Sequence, residues 1–211
     1  MNELCLIVSG GTFCPLPEEL RHASRVIACD RGYVHAGRLG LVPDLILGDF
    51  DSSPPPDTEI PVERFPERKD DSDTMLAVRR ALADGFHSIA VCCAFGGRLD
   101  HTLANIQSAA WFAAQGGRAR LIGTDADLLA FSGGTECVPR RDGWSLSVFS
   151  LSDCCEGVTI RGAKSECRGA ALNNRFPLGL SNVWSADEAE ITVESGVLAV
   201  LLSRLENGEH I

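Results

Sequence analysis

No stretch of the 211-residue chain approaches the roughly 18 consecutive apolar residues that a bilayer-spanning helix needs. Met1-Asn2-Glu3 opens without the basic segment that precedes the apolar core of a secretory signal. A cytoplasmic protein with no membrane partner is therefore expected. Positive charge is also scarce: 19 Lys+Arg face 29 Asp+Glu, for a formal net charge of -10 and a pI near 4.9. A phosphate backbone is bound through a basic stripe, so nucleic acid is not an expected partner. The nine cysteines show no C-x-x-C spacing and their number is odd, which speaks against a disulfide ladder and a zinc knuckle and leaves reduced thiols. Neither G-x-x-x-x-G-K-[ST] nor G-x-G-x-x-G occurs, so any phosphate is held by neither the P-loop nor the dinucleotide fingerprint. Internal repeats and low-complexity tracts are missing too.

What remains has ordinary globular proportions, 45% hydrophobic and 23% charged, which fits neither a disordered nor a fibrous chain. Short apolar runs at 4–8, 26–29, 45–47, 89–94 and 119–122 are bounded by Gly, Asp or Pro and look like strands buried on both faces. Between them, 72–83 places Met75, Leu76, Val78, Ala81 and Leu82 at helical spacing, with polar residues to cap its start and Gly85 past its end. Residues 101–115 repeat the pattern with Leu103, Ile106, Ala110 and Ala113, and stop at Gly116-Gly117. Strands alternating with crossover helices predict an open α/β parallel sheet of Rossmann-like type. Beyond about Asp127 the texture changes to short alternating runs at 136–139, 144–149, 157–161, 189–193 and 197–202, with Glu194-Ser195-Gly196 as a hairpin turn between the last two. The expectation is an α/β catalytic domain over 1–127 followed by an antiparallel β-sandwich domain over 128–211. Pro54-Pro55-Pro56 reads as a stiff surface loop within the first domain.

Acidic residues gather where strands end. Leu45 to Ser52 runs an apolar strand into Asp49 and Asp51, which a two-residue period points to one side. Two carboxylates sharing one space raise each other's pKa unless a cation lies between them, so the pair suits a hard metal; a plain Asp-Ser turn is the competing reading. Lys69-Asp70-Asp71-Ser72-Asp73 sits at the start of the first long helix. These residues serve as a helix cap, or as a site where the helix end holds phosphate and a carboxylate reaches a bridging metal. In Ala94-Phe95-Gly96-Gly97-Arg98-Leu99-Asp100-His101, a strand breaks at two glycines and presents Arg, Asp and His before a helix that carries Asn105. Ligands of α/β sheets bind at such carboxyl ends. Arg98 can fork onto phosphate, Asp100 can complete a metal shell, and His101 or Asn105 can bond a ligand or cap the helix. Gly10-Gly11-Thr12, after the first strand, is a further turn that allows a phosphate to approach.

In this order and spacing the chain resembles the thiamine pyrophosphokinase family. The match runs through Cys29-Asp30-Arg31-Gly32, Pro43-Asp44, Gly48-Asp49-Phe50-Asp51-Ser52, Lys69-Asp70-x-Ser72-Asp73 and Gly96-Gly97-Arg98-x-Asp100-His101 with Asn105. It continues with Gly157-Val158-Thr159, Gly162-Ala163-Lys164 and Gly179-Leu180-Ser181-Asn182. The resemblance implies pyrophosphoryl transfer from ATP to the hydroxyethyl oxygen of thiamine, giving thiamine diphosphate and AMP, in a homodimer with sites at the subunit interface. It assigns Asp49, Asp51, Asp73 and Asp100 to a Mg²⁺ and triphosphate centre with Arg98 on phosphate. Asp30, Lys69, Ser72, Gly97, His101 and Asn105 fall to the nucleotide, and Ser181 and Asn182 to thiamine. Asp51, Asp73 and Asp100 are the candidates to take the alcohol's proton. Three positions depart from the family pattern: Ser165 replaces an aromatic that can stack on the substrate, Met75 a glutamate and Arg31 a glycine. Trp184 or Trp144 could supply the missing ring, or either could equally belong to the core of the β domain. The alternatives are another Mg²⁺-dependent phosphotransferase or phosphohydrolase with a different acceptor, and a catalytically silent thiamine- or nucleotide-binding module.

Overall fold

The computed structural model describes residues 3–50, 57–66 and 71–206. Asp51, Ser52, Pro54-Pro55-Pro56, Lys69 and Asp70, all singled out above, lie outside the described residues. The chain forms two compact units, one of residues 1–112 with 117–124, the other of 113–116 with 125–211. The domain boundary expected after residue 127 lies inside a strand that begins at Ala126.

In the first unit, the apolar runs form parallel strands β1 (Leu4–Val8), β2 (Arg25–Cys29), β3 (Leu45–Gly48), β4 (Val62–Arg64), β5 (Ser88–Cys92) and β6 (Arg118–Ile122). Their spatial order is β6-β5-β1-β2-β3-β4 and every pairing is parallel. Leu6 and Val8 of β1, Ala90 and Cys92 of β5 and Ile122 of β6 pack with Leu16, Leu20 and Ala36 into one buried cluster. Helix α1 (Gly32–Arg38), which supplies Ala36, has no apolar period long enough to betray it in the sequence. Helix α2 (Asp73–Ala83) starts where the Ser72 hydroxyl accepts from the Met75 N–H at 3.2 Å. It ends in paired bonds, Gly85 N–H to the Leu82 carbonyl and Phe86 N–H to the Ala81 carbonyl, each 3.0 Å; the left-handed φ of Gly85, 89°, permits them. Helix α3 (Leu99–Ala114) closes in the same way at Gly116. No helix among the described residues is long and apolar enough to cross a membrane.

The second unit is antiparallel throughout: β7 (Ala126–Pro139), β8 (Trp144–Ser150), β9 (Cys154–Arg161), β10 (Cys167–Asn173), β11 (Gly179–Asn182) and β12 (Glu188–Arg204). The long β12 runs beside β7, while its first half also pairs with β9 and its second half with β8. The core draws Phe131, Leu146, Val158, Ile191 and Val200 from these strands into one cluster. Glu194-Ser195-Gly196 is not the expected hairpin turn. It is an irregularity within one strand, because β12 continues pairing with β7 from Val193↔Gly134 directly to Val197↔Ser132. Three residues on β12 thus oppose only Gly133, whose φ of 67° accommodates the bulge. Strand period and turn residues look alike in sequence whether the chain reverses or bulges.

Candidate functional site

In the first unit the chain runs β1 to β4 across one side of the sheet and then returns to place β5 on the other flank of β1. Such a reversal opens a crevice at the carboxyl ends of the two strands, where doubly wound sheets take their ligands. The loops that leave β1 and β5 carry Gly10-Gly11-Thr12 and Gly96-Gly97-Arg98, so strand order brings together two motifs separated by more than eighty residues.

The two loops are laced along their backbones: Ser9 N–H donates to Cys92 O (3.0 Å), Gly11 N–H to Cys93 O (3.0 Å) and Thr12 N–H to Phe95 O (2.9 Å). A Cβ on Gly11 would lie 2.4 Å from Cys93 O, and one on Gly96 would lie 2.1 Å from Thr12 Oγ1. These glycines are required by the closeness of the loops to each other. Gly97, with φ 70°, has open space around its Cβ direction. Three of the four left-handed non-glycine residues among those described, Asp30, Phe50 and Cys93, directly follow β2, β3 and β5 or lie one residue further on. Such strain concentrates where loops are held for function.

The helix ends are anchored to the same edge. The Ser9 and Thr74 hydroxyls, both buried, bond at 3.1 Å and fix the start of α2 against the end of β1. This pair escapes sequence reading because its members are 65 residues apart. Asn105, buried in α3, donates its amide to Ala94 O at 2.7 Å. It therefore secures the loop after β5, with one of its two amide N–H groups committed there. The Ser72 hydroxyl is likewise used in capping α2. Cys14 and Cys93 hold their sulfurs 3.9 Å apart beneath the loops. Hydrogen bonding from Cys14 favours the Cys93 thiolate, yet Cys92 and burial outweigh it and carry the thiol to about 11. All nine cysteines are free, six of them buried.

The acidic residues stand along this edge. Asp30 follows β2 and lies next to Gly48, where a Cβ would come within 3.2 Å of the Asp30 Cα; half-buried Asp49 follows Gly48. Asp73 opens α2 beside Thr74, and Asp100 lies in the exposed first turn of α3. The Arg98 fork grips Asp100 through Nε (3.1 Å) and a terminal nitrogen (2.5 Å), and this pairing holds the Asp100 carboxyl below the usual carboxylate range. The His101 N–H adds a bond to the same carboxylate at 2.9 Å, while its ring stays exposed. Among the described residues no three His, Cys, Asp or Glu side chains are gathered to hold a metal ion. Asp49, Asp73 and Asp100 are thus brought to one edge without being drawn into a preformed cluster. Their donors are carboxylate oxygens only, the chemistry that suits a hard divalent cation.

In the second unit Asn182 is buried and makes three bonds: its Oδ1 accepts from Ser165 N–H (2.9 Å) and Val183 N–H (3.0 Å), and its Nδ2 donates to Ser165 O (2.8 Å). The side chain pins the 162–165 turn to the end of β11. Ser181 beside it is exposed, with φ 58° and its N–H on the buried Ser147 hydroxyl at 3.0 Å. Of the two readings open for Trp184 and Trp144, a ring for the site or part of the core, the structure shows the core role for both. Trp184 is buried with its indole N–H on Val138 O at 2.9 Å, and Trp144 is packed on the core with the Arg141 and Arg204 guanidinium groups 5.5 and 5.3 Å from its ring centroid.

By sequence, no curated protein matches the chain significantly. By structure, the chain is similar to thiamine pyrophosphokinase from Bacillus subtilis, with a TM-score of 0.82, 23% identity, and 97% of this chain and 100% of that one covered. It is also similar to a thiamin pyrophosphokinase family protein from Enterococcus faecalis (0.78, 25%, 97% and 100%) and to thiamin pyrophosphokinase from Candida albicans (0.73, 15%, 96% and 89%). At these identities the likeness establishes the fold. Membership rests on sequence: residues 16–121, half of the chain and the whole acidic edge, match the thiamin pyrophosphokinase catalytic domain, and the chain belongs to that enzyme family.

Proposed function

We propose that the chain transfers a pyrophosphoryl group from ATP to the hydroxyethyl oxygen of thiamine, releasing AMP, with Mg²⁺ as the metal and a homodimer as the working form. The observation that supports this reading is the placement of Asp30, Asp49, Asp73 and the Arg98–Asp100 pair along the carboxyl edge of a parallel sheet whose strand order reverses at β1 and β5. Residues 1–127 would bind the nucleotide and 128–211 the acceptor, in the cytoplasm.

Transfer between phosphates is limited by charge neutralisation and in-line alignment more than by covalent help, so carboxylates and one arginine are a sufficient set. Asp49, Asp73 and Asp100, with Asp51, would hold Mg²⁺, which when bound neutralises the charge of the phosphate oxygens. Arg98 has its fork on Asp100 and can exchange that partner for a phosphate, since both groups are exposed and solvated. Gly97, open on its Cβ side, lets phosphate approach the loop backbone. Asp51, Asp73 and Asp100 are the candidates to accept the alcohol's proton. Ser181 is exposed beside the clamp and can bond thiamine directly, whereas Asn182 acts by holding the 162–165 turn and Ser181 in place.

The test is AMP release by purified protein with ATP and Mg²⁺, with and without thiamine, the organic product being identified by mass. AMP and thiamine diphosphate appear only with both substrates. Asp73→Asn lowers turnover by about 100-fold or more while leaving the melting temperature near wild type, because asparagine keeps the side chain's size and its amide oxygen as an acceptor, and a carboxylate charge at a helix start is worth about 0.3–1 kcal/mol. Thiamine-independent AMP release, or wild-type turnover by Asp73→Asn, would refute the reading.

A further inference from the structure

The ring missing at position 165 leaves a cationic, aromatic acceptor without the stacking partner such ligands use. Among the described aromatic residues of the second unit, Phe131 and Trp184 are buried and Trp144 and Phe149 half-buried. Phe176 alone is exposed, at 64%. It is followed by Leu178 at 62% and Leu180 at 58%, three large apolar side chains within five residues, directly before Ser181. Scattered exposed apolar residues are ordinary, whereas a contiguous set marks a binding surface.

This segment is held in place. The Asn173 side chain accepts from Arg175 N–H (3.0 Å), Phe176 O accepts from Leu178 N–H (3.0 Å), and Pro177 fixes one backbone torsion. At its far end Gly179 lies against β8, where a Cβ would come within 2.2 Å of Val148 O. Five residue steps separate Phe176 from Ser181, at most about 17 Å of extended chain, and the turn at Phe176–Leu178 shortens it. The Asn182 clamp ties Ser165 to the same strand end.

We infer that Phe176 is the residue on which the acceptor's rings stack, supplying from the β10–β11 connection the aromatic face that position 165 does not offer. The inference rests on the reading of thiamine as acceptor and makes Phe176 a determinant of acceptor affinity. Its exposed ring replaces no core contact, so substitution leaves the fold intact.

The experiment is steady-state kinetics of the full chain with thiamine varied at saturating ATP, and ATP varied at saturating thiamine, for wild type, Phe176→Ala, Phe176→Leu and Phe176→Tyr. Thiamine binding is measured by calorimetry and oligomeric state by sedimentation. Phe176→Ala raises the thiamine KM about tenfold with kcat and the ATP KM within about twofold; Phe176→Leu follows Ala, and Phe176→Tyr recovers wild-type behaviour. A thiamine KM for Phe176→Ala within twofold of wild type overturns the inference. So does full recovery by Phe176→Leu, which would make the side chain merely apolar, or a KM change that accompanies altered sedimentation, which would make it a subunit contact. If the wild-type chain neither turns over nor binds thiamine, the acceptor reading falls and this inference with it. Active wild type with an indifferent Phe176→Ala removes the inference alone.

Discussion

The two adjacent glycines after β1 differ in what surrounds them, and substitution by alanine measures that difference. A methyl on Gly11 would lie 2.4 Å from Cys93 O and 2.7 Å from Phe95 O, both backbone atoms of the loop after β5. Ordinary contact begins near 3.4 Å, so the loops must part by most of an ångström. The bonds from Gly11 N–H and Thr12 N–H, 3.0 and 2.9 Å, then stretch or break. Overpacking costs about 1–3 kcal/mol and each lost bond about 1 kcal/mol, so Gly11→Ala should destabilise the protein by about 2–4 kcal/mol. At about 2–4 °C per kcal/mol for a chain of this size, the melt falls by about 4–16 °C. Gly10 is the internal control: its added methyl would meet Arg31 Cβ at 3.5 Å, an ordinary contact, and Gly10→Ala should melt within about 2 °C of wild type. Gly37, inside α1 with open space around it, should gain about 0.5–1 kcal/mol as alanine. Thermal unfolding followed by circular dichroism reads all three, with turnover measured alongside. A Gly11→Ala melt indistinguishable from wild type, or an equal fall in Gly10→Ala, would refute the claim that the loops are tightly apposed.

Three further outcomes are expected. Asn182→Ala removes three bonds from a buried site and strands the Ser165 backbone groups, so the denaturation midpoint should fall by the equivalent of about 2–3 kcal/mol, and an unchanged midpoint would deny the clamp. Arg98 holds Asp100 below its usual range, so this carboxylate contributes to stability above its unfolded pKa and loses that contribution only as pH falls through its lower folded value. In an NMR titration Arg98→Ala should move the Asp100 midpoint upward, and no movement would mean that the pair does not persist in solution. Among the thiols, exposed Cys154 should react with Ellman's reagent ahead of Cys137, which is also exposed but whose pKa is raised chiefly by the Glu188 carboxylate. Glu188→Gln should speed Cys137, while Cys5, pushed to about 12 by burial, stays silent in the native protein.

Much of the first unit is legible in the sequence because its signals are local. A run such as Leu4–Val8 is apolar at every position since both faces of a parallel strand are covered, and α2 announces itself through Ser72 at its cap and Gly85 at its end. The seven-residue α1, the three-residue β4 and the short β11 are too brief for a period to emerge. In the second unit the alternating runs are correct in kind, but β7 and β12 are far longer than the sequence suggests. Turn-forming residues at Glu194-Ser195-Gly196 mark a bulge there, because only the partner strand decides whether such residues reverse the chain.

The sequence by itself determined that strand-end acidic residues, two glycine pairs and an Arg-x-Asp exist in family order, since each motif is contained within a few residues. Only the tertiary structure decided what those residues face. Strand order places β1 between β2 and β5 and so laces Gly11 and Thr12 to Cys93 and Phe95; a hydroxyl pair spanning 65 residues sets α2 against β1. It also turns the Asn105 and Asn182 amides onto backbone groups and commits Trp184 to the core, leaving Phe176 exposed. Motif spacing records chemistry along the chain. Partners across the fold follow from strand pairing and burial, which the order of residues along the chain does not specify.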